Sequence, residues 1–392
     1  MRIAFLLPCI SFEGGVRVVA TYVRALADRG HEVHAYSLGR TVLPPPRRRL
    51  RILASSVLRG NKQVAKMMLR RRVWNQPSHF DALPDLHTRL PHGPPITAAD
   101  VPPGDAVVAT WWESVAWMKR LPADRGKRFH LIQHDERAMC KDAAEAGRCG
   151  ELTWRTPGVI RVAVSEWVRQ AGLRDFGVDS HVVENATDHE IFHPAGTRTR
   201  NKRFTVGLMA SPATLKATPV AAEAVRRARA AGLDVRVRAF GLRDREHAVN
   251  VLGLPADTDY FAQPPQRKIA DIYRSCDLWL VPSRLEGYGL PVLEALACGT
   301  PTVATPAGAA PQLIGQGGGH LVPVDDPRAM CRAIRATAAL SPPQWKLLSD
   351  AALSTARRRT WPKSVDAFEA LLRGEPADHP ARRPARDLAP AV

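Results

Sequence analysis

Residues 278–304 read LWLVPSRLEGYGLPVLEALACGTPTVA, and this stretch carries most of the information about the fold. The apolar run 278–282 is typical of a buried strand, and a loop with two glycines follows it. Pro291 suits the first position of a helix, and Gly299 suits the position just after its end. A second apolar run begins at residue 302. The pattern predicts a strand, a glycine loop, a helix and another strand.

Two glutamates flank the start of the predicted helix, Glu286 in the loop and Glu294 in the expected first turn. A glycine loop that opens a helix presents free N–H groups and a positive dipole end, which suit a diphosphate. Carboxylates beside it can accept hydrogen bonds from sugar hydroxyls. The simpler interpretation is that Glu294 is a solvated first-turn acid and Glu286 an ordinary loop acid.

Composition limits the class of protein. The chain has 392 residues, which is enough for two domains, and a net charge of +18 predicts attraction to an anionic partner. The six cysteines form no CxxC pair and show no zinc spacing. The short apolar N-terminus predicts a strand rather than a signal peptide, and no run of about 18 apolar residues predicts a membrane helix. These features favour a cytoplasmic protein.

The first part of the chain shows the opening of a doubly wound sheet. A strand at 3–7, a loop with Gly14 and Gly15, a helix at 16–29 and a strand at 32–38 follow in order. The two glycines either form a tight turn or allow the backbone to approach a substrate. His134 follows a predicted strand at 129–133, where ligands bind in such sheets, whereas Asp135 beside it could simply cap a helix.

Residues 33–80 contain eleven Lys and Arg and no Asp or Glu. Apolar residues are interleaved with the basic ones, so residues 41–74 could lie on an anionic membrane surface, peripherally on its inner face. A solvated basic face and an insertion that contacts an anionic acceptor are the alternatives. Nucleic acid is disfavoured as a partner because no binding module accompanies the charge.

The second half repeats the pattern of the first. A strand at 204–208 leads into a loop with Lys216, and a helix at 219–231 and a strand at 235–240 follow. The sequence therefore predicts an α/β protein with four parts. These are a Rossmann-like domain at 1–198, a second at 199–357, a helix at 358–373 that crosses back to the first domain, and a disordered tail at 374–392.

Residues 282–303 read PSRLEGYGLPVLEALACGTPTV and resemble the signature of the retaining glycosyltransferases of family 4, with seven residues between its two glutamates. Residues 12–15 (FEGG), 183–188 (VENATD) and 360–361 (TW) fit further landmarks of that family. The resemblance covers about residues 1–373. The segments FEGGVRVV, TWWES and IQHDE most resemble a bacterial, rhamnosyltransferase-like subgroup.

The resemblance implies the GT-B fold, in which two doubly wound domains face a cleft, with the nucleotide-sugar donor on the second domain and the acceptor on the first. It implies no metal and no other cofactor. It implies catalytic roles for His134, Lys216 and Glu286. The expected substrate-binding residues are Gly14, Gly15, Arg284, Gly287, Tyr288, Gly289, Leu290 and Glu294. For Tyr288 core packing is the alternative, and for Lys216 an ordinary surface position.

One departure concerns the phosphate end of the expected site. The family has an arginine about five residues before the lysine, but residues 208–215 read LMASPATL and contain no base. Ala217 also stands where glycine is common. Arg243 or Arg284 could supply the second cation, or Lys216 and the helix end could suffice.

Three functional hypotheses follow. The first is a retaining glycosyltransferase that moves a sugar from a nucleotide-diphosphate sugar to an acceptor hydroxyl, in bacterial glycan or glycosylated-metabolite biosynthesis. The acceptor would be a sugar, a lipid-linked glycan or a small molecule. The second is a sugar-nucleotide epimerase or phosphorylase on the same fold. The third is a non-catalytic basic protein that binds membranes or polyanions.

Overall fold

The structure, a computed structural model, describes residues 1–38 and 77–375. Within these residues the chain forms two compact units. The first comprises Met1–Ala163, Gly172–His181 and Glu369–Glu375, and the second comprises Val164–Ala171 and Val182–Phe368. The basic segment at 41–74 lies outside the described residues, as does nearly all of the predicted tail at 374–392.

Seven strands form the sheet of the first unit, in the order β3-β2-β1-β4-β5-β6-β7. They are β1 (Arg2–Leu7), β2 (Glu32–Leu38), β3 (His87–Leu90), β4 (Ala106–Ala109), β5 (Lys127–Ile132), β6 (Val159–Ala163) and β7 (His181–Val182). The ladders from β3 to β6 are parallel. This order is that of a doubly wound sheet. Strand β1 lies in the interior of the sheet, between β2 and β4, and the side chains of residues 3–7 are apolar and buried.

Helices α1 (Gly14–Asp28), α2 (Trp112–Met118) and α3 (Ala143–Arg155) belong to the first unit, and α4 (Glu166–Phe176) contributes to both units. Helix α1 begins at Gly14, two residues before the predicted start, and the N–H of Arg17 donates to the carbonyl of Glu13. The predicted apolar face of this helix is buried against the sheet. Gly14 and Gly15 therefore form the first turn of the helix rather than a loop before it.

The second unit contains a six-stranded parallel sheet in the order β10-β9-β8-β11-β12-β13. Its strands are β8 (Phe204–Ala210), β9 (Val235–Gly241), β10 (Asp259–Ala262), β11 (Leu278–Val281), β12 (Thr302–Ala304) and β13 (Gly319–Leu321). Its helices are α5 (Thr218–Ala230), α6 (Arg245–Asn250), α7 (Gln266–Arg274), α8 (Leu290–Ala297), α9 (Ala310–Ile314), α10 (Pro327–Ala338), α11 (Pro342–Arg357) and most of α12 (Trp361–Arg373). The predicted α/β class with two doubly wound sheets is confirmed.

The central strand β11 is positioned by its tryptophan. Trp279 is fully buried and packs against the rings of Phe240 and Tyr273. On the neighbouring strand β8, a Cβ at Gly207 would lie 2.2 Å from the Trp279 ring, so only glycine fits there. This packing fixes the carboxyl end of β11, from which the signature loop starts.

Some elements differ from the sequence-based prediction. Strands β3 and β10 were not expected, because these edge strands are short and partly exposed and lack an apolar run. Strand β13, at the other edge of the second sheet, is also short, Gly319–Leu321. Within residues 1–38 and 77–375, no helix is long and apolar enough to cross a membrane.

Candidate functional site

The signature loop connects β11 to α8 at the carboxyl edge of the second sheet. Gly289 precedes the helix with φ +91°, a left-handed conformation that favours glycine, and Pro291 occupies the first turn. The N–H groups of Gly289 and Leu290 donate no hydrogen bond to any described residue. Since the positive end of the helix dipole lies at the same place, this turn can accept an anionic or hydroxyl-bearing ligand.

The loop carboxylate Glu286 is only 6% exposed and is held by two donors. The Nζ of Lys216 lies 2.6 Å from its Oε1, and the hydroxyl of Ser283 donates to the same oxygen over 2.7 Å. The hydroxyl of Thr305, just after β12, donates in turn to the carbonyl of Ser283. A buried carboxylate costs free energy unless it is paired, so this pairing accounts for its burial.

Lys216 lies at the end of a short 3₁₀ turn, Thr214–Lys216, after β8. Ala217 follows with φ +46° and ψ +36°, a left-handed conformation, and it precedes α5. This backbone geometry explains why glycine is common there in the family that the signature resembles. The Lys216 side chain remains 28% exposed, so its ammonium can still reach a ligand from solvent.

Arg284 supports the turn that carries Lys216. Its backbone N–H donates to the carbonyl of Leu215 over 2.8 Å, and its Nη1 donates to the carbonyl of Thr214 over 2.6 Å. Its Nε also pairs with both carboxylate oxygens of Asp325 at 2.9 Å. The guanidinium is thus engaged by protein groups, and its predicted contact with a substrate phosphate stays a prediction.

The second signature glutamate, Glu294, is the fifth residue of α8 and is only 4% exposed. It was expected in the first turn, but the helix begins at Leu290, so the interpretation as a solvated first-turn acid is wrong. The hydroxyl of the fully buried Tyr273 donates to its Oε2 over 3.0 Å. This bond orients one carboxylate oxygen. Tyr288 is also buried, as packing would require.

Ser165 makes a further contact with the signature loop. Its hydroxyl donates to the carbonyl of Gly287 over 2.5 Å and accepts the N–H of Val168 over 3.2 Å. The contact with Gly287 was not predicted from the sequence. This buried serine holds the loop backbone in place.

In the first unit, Gln133 and His134 directly follow β5. A Cβ at Gly15 would lie 3.4 Å from the side-chain oxygen of Gln133, so the glycine permits close approach of this amide. That oxygen is buried and has no hydrogen-bond partner among the described residues. Nδ1 of His134 lies 3.0 Å from the carbonyl oxygen of Asp135, and the carboxylate of Asp135 caps the following turn.

Glu136 and His130 form a second buried pair near the end of β5. Burial raises the pKa of Glu136 well above its ordinary value, and the N–H of Trp112, which donates to this carboxylate over 2.6 Å, acts against that shift. Burial, together with the charge of Arg161, lowers the pKa of His130 to about 3. Its Nε2 lies 3.9 Å from Oε1 of Glu136. This pair therefore favours its uncharged forms.

The structure brings the predicted residues of the second unit together. Hydrogen bonds join Glu286 to Lys216 and Arg284 to the turn that carries Lys216, residues 287–290 continue the same loop, and Glu294 lies on α8, which follows that loop. Sequence reasoning missed four supporting side chains, namely Ser283, Thr305, Ser165 and Gln133. All four lie within two residues of the carboxyl end of a strand, and that position was an available signal. Among the described residues, no group of three or more His, Cys, Asp or Glu side chains could hold a metal ion.

Comparison with known proteins identifies a similar family and a shared fold. Residues 200–339 match the family described as "Glycosyl transferases group 1". A D-inositol 3-phosphate glycosyltransferase from Mycolicibacterium vanbaalenii is 36% identical over 155 residues, covering 38% of this chain and 34% of the relative. An enzyme of the same name from Saccharomonospora viridis is 38% identical over 113 residues, covering 28% and 26%. The matches thus span about a third or less of these relatives.

Solved structures match over nearly the whole length. Sucrose-phosphate synthase from Thermosynechococcus elongatus has a TM-score of 0.66 at 16% identity, covering 95% of this chain and 98% of its own. Anabaena HepE, in complex with UDP and glucose, has a TM-score of 0.67 at 15% identity, covering 95% and 99%. At such identities the likeness shows the fold alone. The segment 200–339 is therefore similar to the group 1 glycosyltransferases, and the chain has the GT-B fold.

Proposed function

We propose that the chain is a retaining, metal-independent glycosyltransferase that moves a sugar from a nucleotide-diphosphate sugar to an acceptor hydroxyl. The observation that carries the proposal is the arrangement around the signature loop. A buried carboxylate, Glu286, is paired to Lys216, and a second buried carboxylate, Glu294, follows the free N–H groups of Gly289 and Leu290.

Each group suits one part of a nucleotide sugar. We assign the ribose hydroxyls to Glu294, because Tyr273 orients its carboxylate and a carboxylate offers about four acceptor positions for hydrogen bonds. We assign the sugar hydroxyls to Glu286 and the N–H groups of the loop. The diphosphate is assigned to Lys216, whose ammonium is partly exposed while its partner is buried.

The reaction needs stabilisation of a leaving nucleoside diphosphate. The bond from the sugar C1 to the phosphate oxygen breaks as a bond from C1 to the acceptor oxygen forms on the same face. The acceptor proton passes to the leaving phosphate. Negative charge develops on the diphosphate, so a preorganised cation and N–H dipoles lower the barrier.

The ion pair between Lys216 and Glu286 has a consequence for donor binding. Without a donor, each group satisfies the other at 2.6 Å. A bound diphosphate would offer the ammonium a second anionic partner, and the carboxylate would become available to sugar hydroxyls. The pair thus keeps both side chains in place before the donor arrives, which limits the entropy lost on binding.

The finer identity of the substrates rests on similarity. Because HepE was solved in complexes with UDP and with UDP-glucose, we propose a UDP-sugar as the first donor to test. Because the relatives are named D-inositol 3-phosphate glycosyltransferases, a phosphorylated polyol is the first acceptor. Rhamnosyl transfer, lipid-linked or polysaccharide acceptors and a peripheral membrane location through residues 41–74 remain proposals from the sequence. So do the roles of Gly14, Gly15 and His134.

A transfer assay with UDP-, GDP- and dTDP-sugars and a panel of acceptors tests the proposal. Glu294→Gln and Lys216→Ala should lower turnover by roughly 100-fold or more, in the range measured for loss of one transition-state contact. Glu246→Gln and Lys268→Ala, at exposed positions of the same unit, are the matched controls. Near-normal turnover in both site variants would overturn the assignment. Conversion of the donor without any acceptor would favour an epimerase instead.

A further inference from the structure

A second cavity lies in the same unit but away from the signature loop. It has a volume of about 260 Å³ and is lined by basic and hydroxyl side chains around the start of β8 and β9. The lining includes Lys202, Arg203, Arg236, Arg238, Thr205 and Ser275. In a parallel doubly wound sheet, ligands normally bind at the carboxyl ends of the strands, where the signature loop lies. This cavity is at the opposite, amino end.

Four cations line the cavity, and three nearby carboxylates neutralise them only in part. Arg203 pairs with Asp234 at 2.8 Å. Asp259 pairs with Arg236 at 2.5 Å and, more distantly, with the Nε of Arg238 at 3.5 Å. The carboxylate of Asp277 accepts the N–H groups of Asn201 and Thr205. Four positive charges against three negative ones leave the surroundings positive, so the cavity attracts an anion.

One cation is unpaired and a second is only weakly paired. The ammonium of Lys202 forms no ion pair or hydrogen bond within the described residues, and its side chain is exposed. The Nε of Arg238 is buried and has no hydrogen-bond partner among these residues. The Asp259 carboxylate at 3.5 Å offsets only part of the cost of about 1–3 kcal/mol of such a buried donor.

The register of the strands explains how these groups meet. Arg236 and Arg238 project from the same face of β9 because residues two apart in a strand share a face. Arg236 lies beside Thr205 of β8, and Arg238 lies beside Gly207, where the Trp279 ring occupies the position of a side chain. The hydroxyl of Thr205 is already committed to the carbonyl of Arg203. The polar lining of the cavity therefore comes mainly from guanidinium groups.

We infer that this cavity binds the phosphoryl group of a small soluble phosphate ester, at a site separate from the signature loop. Guanidinium groups match the geometry of phosphate oxygens, and an ammonium adds a point charge. The volume is slightly below the range of about 300–1,000 Å³ typical of sites that enclose a whole small molecule. It suits one phosphoryl group, with the rest of the ligand in solvent. Such a ligand stabilises the folded unit by binding only its native state.

Calorimetric titration of the full chain with inorganic pyrophosphate tests the inference. The test variants are Lys202→Ala and the double variant Lys202→Ala/Arg238→Ala. The double variant leaves the Arg203–Asp234 and Arg236–Asp259 pairs intact. In the double variant, one class of pyrophosphate-binding sites should disappear or bind at least tenfold more weakly. Lys202→Ala alone should weaken that class several-fold, and because its side chain is exposed, a loss of folding would not explain the effect.

The matched control is Arg328→Ala/Arg332→Ala, which removes two exposed positive charges from α10 of the same unit. It should change pyrophosphate binding less than twofold, and an equal loss in control and cavity variants would overturn the site. The series is repeated in proteins that also carry Lys216→Ala, to separate this site from the signature loop. The cavity substitutions should weaken pyrophosphate binding in those proteins as well. Sedimentation with phosphatidylcholine vesicles, with or without phosphatidylglycerol, tests whether the cavity binds a lipid headgroup instead. If the cavity variants lost vesicle binding but kept pyrophosphate binding, the inference of a soluble ligand would be wrong.

Discussion

The strain at Ala217 gives a quantitative prediction. This residue is buried, has φ +46° and connects the Lys216 turn to α5. A left-handed conformation costs a residue with a Cβ about 1–2 kcal/mol relative to the right-handed region. Ala217→Gly removes that cost in the folded state and leaves the Lys216 turn in place.

The gain is smaller than the strain because glycine also loosens the unfolded chain. That entropy difference is about 0.4–1 kcal/mol in the opposite direction. Removal of the buried methyl group costs up to about 0.8 kcal/mol more. The net change should therefore stay within about 1 kcal/mol of zero, which for a unit of roughly 150–250 residues shifts the unfolding midpoint by no more than about 4 °C.

Scanning calorimetry of the full chain measures this change, with the transition of the second unit followed separately where two transitions resolve. The matched control is Ala222→Gly, the same substitution within α5, which should destabilise by about 1 kcal/mol. A midpoint that falls with Ala217→Gly by as much as with Ala222→Gly would show that the left-handed conformation at 217 is wrong.

Three further predictions concern the electrostatic pairs. Arg284→Ala should weaken donor binding only about fivefold, or about 1 kcal/mol, if Arg284 supports the Lys216 turn. A loss of 100-fold or more in a donor titration would instead make it a direct phosphate ligand. Although burial opposes it, hydrogen bonds from Arg29 and His31 lower the pKa of Glu369 to about 2. The stability advantage of wild type over Glu369→Gln in urea unfolding should be full above pH 4.5 and vanish toward pH 2, and a constant difference would refute it. Burial raises the pKa of Glu136, so the folded state takes up a proton that the unfolded state releases. Glu136→Gln should thus be more stable than wild type at pH 8 and lose that advantage near pH 4.5, whereas lower stability at pH 8 would contradict the burial argument.

Much of the fold followed from apolar runs and glycines. The runs that became β1, β8 and β11 are buried centre strands, whose side chains must be apolar on both faces. The signature around Glu286 and Glu294 also located the principal candidate site. Edge strands such as β3 could not be predicted, because half-exposed strands need no apolar pattern.

The contacts within the site could not be predicted from the sequence. The pairing of Lys216 with Glu286 joins residues 70 positions apart, and nothing local to either residue indicates it. The sequence offered Arg284 as a free cation, whereas its ion pair with Asp325 depends on the packing of a distant turn. The left-handed backbone at Ala217 could not be predicted, because glycine, which normally indicates this conformation, is absent there. Pairings set by tertiary packing are therefore what the structure adds.

Donor binding tests the central claim most directly. Calorimetric titration of UDP-, GDP- and dTDP-sugars into wild type, Glu294→Gln and the exposed control Glu246→Gln isolates the carboxylate assigned to the ribose. At least one donor should bind wild type and Glu246→Gln alike, and should bind Glu294→Gln at least tenfold more weakly while the unfolding midpoint of the free protein stays unchanged. Equal affinity for wild type and Glu294→Gln, or no binding of any donor, would contradict the account.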